Sequence, residues 1–198
     1  VDKVDSYAAM RKYSYKRAAD GIVRMELNNE PLFQFGPLDQ GWWPDGLYTA
    51  PTDEALAWDV KKTKDFGFNM IRKHIKIEPE IFYYERDRLG MLVLQDMVNN
   101  GKYSYLFDTI LPTIGFKKKN DRRRPGYDQE RKQIFEKHMV DTLADLYNHP
   151  CIIGYTIFNE GWGQFDSDRM YEIAKEMDST RIYDSTSGWF AQKKSDMD

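Results

Sequence analysis

Eight consecutive residues, Cys151-Ile152-Ile153-Gly154-Tyr155-Thr156-Ile157-Phe158, carry almost no polar side chain. A run of that length reads as a strand buried on both faces, the pattern of a parallel sheet covered by helices. Upstream, Val23-Arg24-Met25-Glu26-Leu27 alternates apolar and charged positions, as a half-buried strand does, and Asn28-Asn29-Glu30-Pro31 closes it with a turn. Further apolar runs predict strands over 32–36, 68–72, 91–94 and 181–184. Helices fit between them. Thr52 caps one over 53–66, with Asp53 and Glu54 in its first turn and Gly67 as its stop. Pro79 begins another that ends at Leu89 before Gly90. From Asp128 to Asn148 a stripe of Ile134, Phe135, His138, Met139, Thr142, Leu143, Leu146 and Tyr147 recurs at steps of three and four, and Pro150 ends it. A last helix starts at Asp166 or Ser167 and carries Met170, Ile173, Ala174 and Met177.

Strands alternating with helices imply a parallel sheet built from right-handed crossovers. About five such strands are counted, whereas a closed (β/α)8 barrel needs eight and typically about 250 residues. The expected fold is therefore α/β: a partial TIM barrel of about five parallel strands, preceded by a short β segment within residues 1–30. An incomplete barrel exposes two sheet edges, so self-association through them is expected. Residues 97–127 read as irregular and hold two basic runs, Lys117-Lys118-Lys119 and Arg122-Arg123-Arg124, which read as a solvated loop.

Composition changes this picture little. The 198 residues are 41% hydrophobic and 15% aromatic, enough for a sizeable core. With 29 Lys+Arg against 32 Asp+Glu, the net charge of -3 gives no reason to expect nucleic acid or an acidic membrane surface as partner. No aromatic platform interleaves the basic runs. The longest apolar run, the eight residues above, is too short to span a bilayer. No secretory signal stands at the amino end, and the compartment is left open. Cys151 is the only cysteine and reads as a small core hydrophobe. No His/Cys/Asp set has metal-ligand spacing and no Gly-rich phosphate loop is present, so neither metal nor cofactor is expected.

Chemistry concentrates just past the long apolar strand, at Asn159-Glu160-Gly161-Trp162. In parallel α/β barrels, residues at the carboxyl ends of strands build the active site. A carboxyl on the rim of an apolar strand beside an indole is well placed to hold its proton near neutral pH and act as a general acid. Glu160 is the lead candidate; the alternative is an ordinary solvated acid at a strand end. Trp42, Trp43, Trp162 and Trp189 offer indole faces of the kind that stack on sugar rings.

The segment His149 to Phe165, with Cys151–Phe158 and Asn159-Glu160-Gly161-Trp162 at its centre, resembles the acid/base segment of glycoside hydrolase family 2, the family of β-galactosidases, β-glucuronidases and β-mannosidases. Other segments follow in the family's order. Leu27-Asn28-Asn29-Glu30-Pro31 resembles the turn into its first barrel strand, with Asn29 where Gly is usual. Phe35-Gly36-Pro37-Leu38-Asp39-Gln40-Gly41 resembles the end of that strand. Gly67-Phe68-Asn69-Met70-Ile71-Arg72-Lys73-His74 resembles the second-strand signature, with His two positions after Arg where three is common. Asp87-Arg88-Leu89-Gly90-Met91-Leu92-Val93 resembles the third strand and the helix end before it.

The resemblance implies an amino-terminal part of a family 2 catalytic barrel over 31–198, with 1–30 the end of a preceding immunoglobulin-like domain. It implies a glycosidase acting on a β-linked oligosaccharide or glycoside by a retaining double displacement. Glu160 would be the general acid/base, and Asn159 the residue holding the sugar 2-hydroxyl. Arg72 and His74 would line the substrate site, and Asp39, Asp96 and Trp162 would form subsite walls. Structural alternatives stand beside these: an ion pair in the barrel mouth for Arg72, a backbone partner for His74, satisfied loop amides for Asp39 and Asp96. The family's nucleophile is a Glu on the seventh strand, not found in this sequence, and Asp184 has no motif to replace it. The chain by itself is expected to be inactive. The rival reading is a carbohydrate-binding remnant without catalysis.

Overall fold

The computed structural model describes residues 1–99, 104–115, 121, 129–188 and 190–197. Both basic runs and Trp189 lie outside the described residues. Three short strands open the chain as an antiparallel sheet in the order β1-β2-β3: β1 (Tyr13–Arg17), β2 (Val23–Leu27) and β3 (Glu30–Pro31). β1 was not expected, because its polar spacing shows little alternation until β2 pairs with it. The β2–β3 turn needs positive φ at both central residues, and Asn28 (54°) and Asn29 (69°) supply it. That explains why Asn stands at Asn29, where the resemblance expects Gly.

The second sheet has five strands, all parallel, in the order β4-β5-β6-β7-β8. They are β4 (Leu38–Asp39), β5 (Met70–Lys73), β6 (Leu92–Asp96), β7 (Ile152–Thr156) and β8 (Ile182–Asp184). The crossovers carry α1 (Asp53–Asp65), α2 (Glu80–Leu89), α4 (Gln129–Asp145) and α5 (Ser167–Met177). A π-helical turn, Tyr105–Ile110, runs into α3 (Leu111–Thr113) inside the segment expected to be irregular. This is the expected partial barrel after a β lead-in. Thr52 caps α1 by accepting the Ala55 N–H at 3.2 Å, and Gly90 ends α2 in the left-handed region at φ 68°.

The first barrel strand departs from expectation. Residues 32–37 form no strand, and pairing begins only at Leu38. The Asn69 side chain ties the approach instead, accepting the Phe35 N–H and donating to the Phe33 carbonyl, each at 2.8 Å. A Cβ on Gly36 would lie 1.6 Å from the Met70 carbonyl oxygen, so backbone fills that space. Pro37 has no N–H for a ladder but its carbonyl takes the Arg72 N–H at 3.0 Å, and the ladder starts there.

The core lies between sheet and helices, with Val60, Phe82, Tyr83, Met139, Met170 and Tyr155 essentially inaccessible. Phe135 of α4 stacks on Phe158 at 4.9 Å. Of the α4 stripe, Phe135, Met139, Leu143 and Leu146 are buried, while Ile134 and Tyr147 stay exposed. Among the described residues no helix is long and apolar enough to cross a membrane.

Among the described residues, the β8 edge is covered and the β4 edge is not. Along β8, Met197 bridges Asp184, the Asp196 N–H donates to the Tyr183 carbonyl at 2.9 Å, and the Asp196 carboxylate accepts the Tyr183 N–H. The backbone of 196–197 and the side chains of Ser195 and Asp196 thus satisfy edge groups of β8, Ser195 Oγ accepting the Ser185 N–H at 3.1 Å. The β4 side remains apolar and exposed at Phe33, Phe35 and Leu38.

Candidate active site

Strand pairing decides which side chains meet. Lys73, Gln95, Tyr155 and Tyr183 are in register across β5 to β8 and are all buried. Arg72, Leu94, Gly154 and Ile182 lie one residue earlier, and Asp96, Thr156 and Asp184 one residue later. Because side chains alternate along a strand, these last two levels share the face opposite Lys73. Asp39 pairs with Lys73 and takes the Lys73 face.

The contacts agree. On the inner face, Arg72 Nε donates to Asp96 Oδ1 at 2.9 Å, and Arg72 Nη2 donates to Asn159 Oδ1 at 2.7 Å and to Ser187 Oγ at 3.4 Å. His74 Nδ1 lies 3.0 Å from Asp96 Oδ2. Asp96 is completely buried and Asn159 nearly so. The residues come from just before or just past the carboxyl ends of β5, β6, β7 and β8. Arg72, His74, Asp96 and Asn159 were expected at the site and are brought together. The Arg72 ion pair, one of the structural alternatives, is also present. His74 meets a carboxylate rather than a backbone group.

Beyond β7 the ladder continues: Ile157 N–H donates to the Asp184 carbonyl at 2.8 Å and Phe158 N–H to the Ser185 carbonyl at 3.2 Å. The chain then turns through a 3-10 segment, Asn159–Gly161. Glu160 sits in the left-handed region at φ 51°, an uncommon conformation for a residue with a Cβ. A Cβ on Gly161 would lie 2.8 Å from the Phe190 ring, so the turn is packed from behind. The turn buries Asn159 and exposes Glu160. Burial against an indole, the setting expected for Glu160, is not formed by the described residues; Trp162 is half-buried, and its backbone N–H donates to the Asn159 carbonyl at 2.9 Å.

Asp39 is not part of this group. Its carboxylate accepts from Lys73 at 3.3 Å and faces Arg86 at 3.6 Å on the helix side of the sheet. Lys73 also pairs with Glu78 at 2.5 Å, and Lys76 with the same Glu78 oxygen at 2.8 Å. A Cβ on Gly41 would lie within 3 Å of Lys73 Nζ, Glu78 Oε1 and Lys76 Nζ, so the loop after β4 rests directly on this cluster. Burial raises the carboxyl of Asp59 beside it, with nearby Asp39 adding to the effect.

Two inner-face residues were not singled out from sequence as site residues. Asp184 is buried, with Oδ1 accepting the Thr186 N–H at 3.1 Å and the Ser187 N–H at 2.7 Å. Burial lifts its carboxyl above the ordinary range; the two amides and Arg72 pull it back, while Asp96 pushes the same way as burial. Ser187, at φ 53°, reaches Arg72 from the same loop. Strand parity could have flagged Asp184; nothing local marks Ser187. With a folded pKa above the unfolded one, Asp184 binds more protons in the native state. Its contribution to stability is present below the ordinary carboxylate pKa and is lost as pH rises through the raised value. Asp184→Asn, which keeps the acceptor oxygen, is expected to flatten the fall in unfolding free energy over that window. An unchanged pH profile in urea unfolding would count against it.

Residues 49–196 match the family model described as glycosyl hydrolases family 2, TIM barrel domain. The chain belongs to that family. A putative β-glucuronidase of Formosa agariphila is 26% identical to this family 2 chain over 145 residues, covering 72% of the chain and 12% of that protein. A β-galactosidase of Priestia megaterium is 25% identical over 137 residues, 66% of the chain and 12% of that protein. The family 2 chain thus spans about an eighth of the length of these curated relatives. Among solved structures, the Parabacteroides merdae β-glucuronidase superposes with a TM-score of 0.66 at 18% identity, over 89% of this chain and 20% of that one. At that identity the likeness is one of fold.

Proposed function

We propose that the chain supplies the first five strands of a β-glycosidase catalytic barrel that works by a retaining double displacement. Glu160 protonates the leaving glycosidic oxygen and then serves as base for water, and Asn159 holds the sugar 2-hydroxyl. Residues 31–198 belong to the barrel, and 1–30 to the end of a preceding immunoglobulin-like domain, a reading supported by the antiparallel β1–β3 sheet. The observation that carries the functional reading is Asn159-Glu160 directly beyond the carboxyl end of the fourth parallel strand, with the Asn side chain held by Arg72 at 2.7 Å and the Glu side chain exposed. Asp39 on the helix face is not assigned a subsite, and Trp162 is kept as a rim residue.

The second carboxylate of a retaining pair stands about 5–5.5 Å from the first. Asp184 is not assigned that role, since two loop amides anchor it. The nucleophile is assigned to a part of the barrel beyond the five described strands, and this chain by itself is expected to be inactive. The substrate is a β-linked oligosaccharide or glycoside.

The test uses the whole polypeptide that carries this chain, offered a panel of aryl β-glycosides including a galactoside and a glucuronide. Turnover with the β-anomer as the first-formed sugar, read by proton NMR, is expected. The α-anomer appearing first would remove the double displacement. Sugar binding without any turnover would favour the carbohydrate-binding reading.

A further inference from the structure

Arg72 only donates hydrogen bonds, so the Asn159 atom 2.7 Å from it is the carbonyl oxygen, and the amide hydrogens are left for a ligand. The Asp96 carboxylate only accepts, so His74 Nδ1 carries the proton between them and Nε2 is the ring nitrogen left for a ligand. One buried carboxylate thus sets the state of two neighbours. Its Oδ1 fixes Arg72 through Nε, and its Oδ2 fixes the tautomer of His74. Asp96 is itself inaccessible, which removes it as a subsite wall.

We propose that Asp96 is a positioning residue that acts through Arg72 on Asn159 and through its own second oxygen on His74, presenting an amide donor and a single ring nitrogen to the sugar. This rests on the functional reading of Asn159 given above. The guanidinium is a planar fork, and with Nε held by Asp96 its Nη2 has one direction, toward Asn159 and Ser187. Without Asp96 the side chain of Arg72, about a quarter exposed, is free to leave Asn159. Hydrogen bonds to a sugar 2-hydroxyl strengthen in the transition state, so a misplaced Asn159 lowers kcat more than it raises KM.

The experiment compares Asp96→Ala, which removes both acceptor oxygens, Arg72→Lys, Asn159→Ala and the double variants Arg72→Lys/Asn159→Ala and Asp96→Ala/Asn159→Ala in the whole polypeptide. Asp96→Ala and Arg72→Lys are each expected to lower kcat about 100-fold, the scale of a misplacement near 1 Å, with KM changed less than about threefold. Arg72→Lys/Asn159→Ala is expected to match Asn159→Ala alone within about threefold, because both substitutions remove one contact. Asp96→Ala/Asn159→Ala is expected to lose less than the product of its single losses, the excess over Asn159→Ala coming from His74. Losses that multiply in either double variant, or a normal kcat in Asp96→Ala, would overturn the inference. If Asp96→Ala does not fold, Arg72→Lys combined with Asn159→Ala carries the non-additive expectation. Activity-independent evidence comes from a ligand-free crystal structure of Asp96→Ala, where Arg72 is expected off Asn159 Oδ1. Arg72 still on that oxygen would end the inference whatever the activity. Full activity in Asn159→Ala, with Arg72 displaced in that crystal structure, would instead strike the functional reading alone.

Discussion

Replacing Glu160 by Ala in the whole polypeptide is expected to slow hydrolysis of glycosides with poor leaving groups by about 10²- to 10⁴-fold, equivalent to about 3–5 kcal/mol of barrel-mouth catalysis. An alkoxide leaves badly unless it receives a proton as the bond breaks, and Glu160 is the exposed carboxyl beside Asn159 that would give it. A dinitrophenolate leaves well without a proton. For that leaving group the first step is expected to survive in Glu160→Ala, so a glycosyl-enzyme accumulates and the slow step becomes its hydrolysis, which lacks a base. Azide needs no base and fits the space left by the side chain, so it is expected to restore turnover and yield the β-glycosyl azide. Equal losses for all leaving groups, with no response to azide, would show that Glu160 is not the proton donor.

The largest expected effect on stability is at Glu78. Its side chain is almost wholly buried, and one oxygen pairs with both Lys73 at 2.5 Å and Lys76 at 2.8 Å, themselves nearly inaccessible. Removing one partner of a buried ion pair leaves uncompensated charge and typically costs about 3–5 kcal/mol. Glu78→Gln is expected to fall in that range by urea unfolding. Adding Lys73→Met should recover part of the loss, since an apolar replacement removes the orphaned ammonium. A single-variant loss below about 1 kcal/mol would mean that Lys73 finds enough compensation in Asp39 alone. The cluster matters to the site because it locks the loop after β4 to the segment after β5. Lys76 Nζ donates to the Gly41 carbonyl at 3.0 Å and to the Tyr48 carbonyl at 2.8 Å, a few residues beyond Arg72 and His74.

Elements with strong local signals were legible. The helices α1, α2, α4 and α5 lie close to where caps, glycine stops and periodicity put them, since those signals act within one turn. The last four parallel strands lie within two residues of the apolar runs that predicted them, and in the expected order. The first one moved, because Leu32–Gly36 is apolar enough for a strand but its hydrogen bonds were taken by the Asn69 side chain and by close backbone contact at Gly36. β1 was missed because a strand with little alternation is defined by its partner.

The sequence by itself determined the class of fold, the alternation of strand and helix, and the stretch on which chemistry concentrates, because apolar periodicity and turn residues are properties of neighbours along the chain. Only the tertiary structure decided that Arg72 and Asp39, both near strand ends, sit on opposite faces, that Asp96 is a buried hub, and that Asp184 and Ser187 join the same face. Those facts depend on register between strands far apart in sequence, where a shift of one residue turns every side chain to the other side of the sheet.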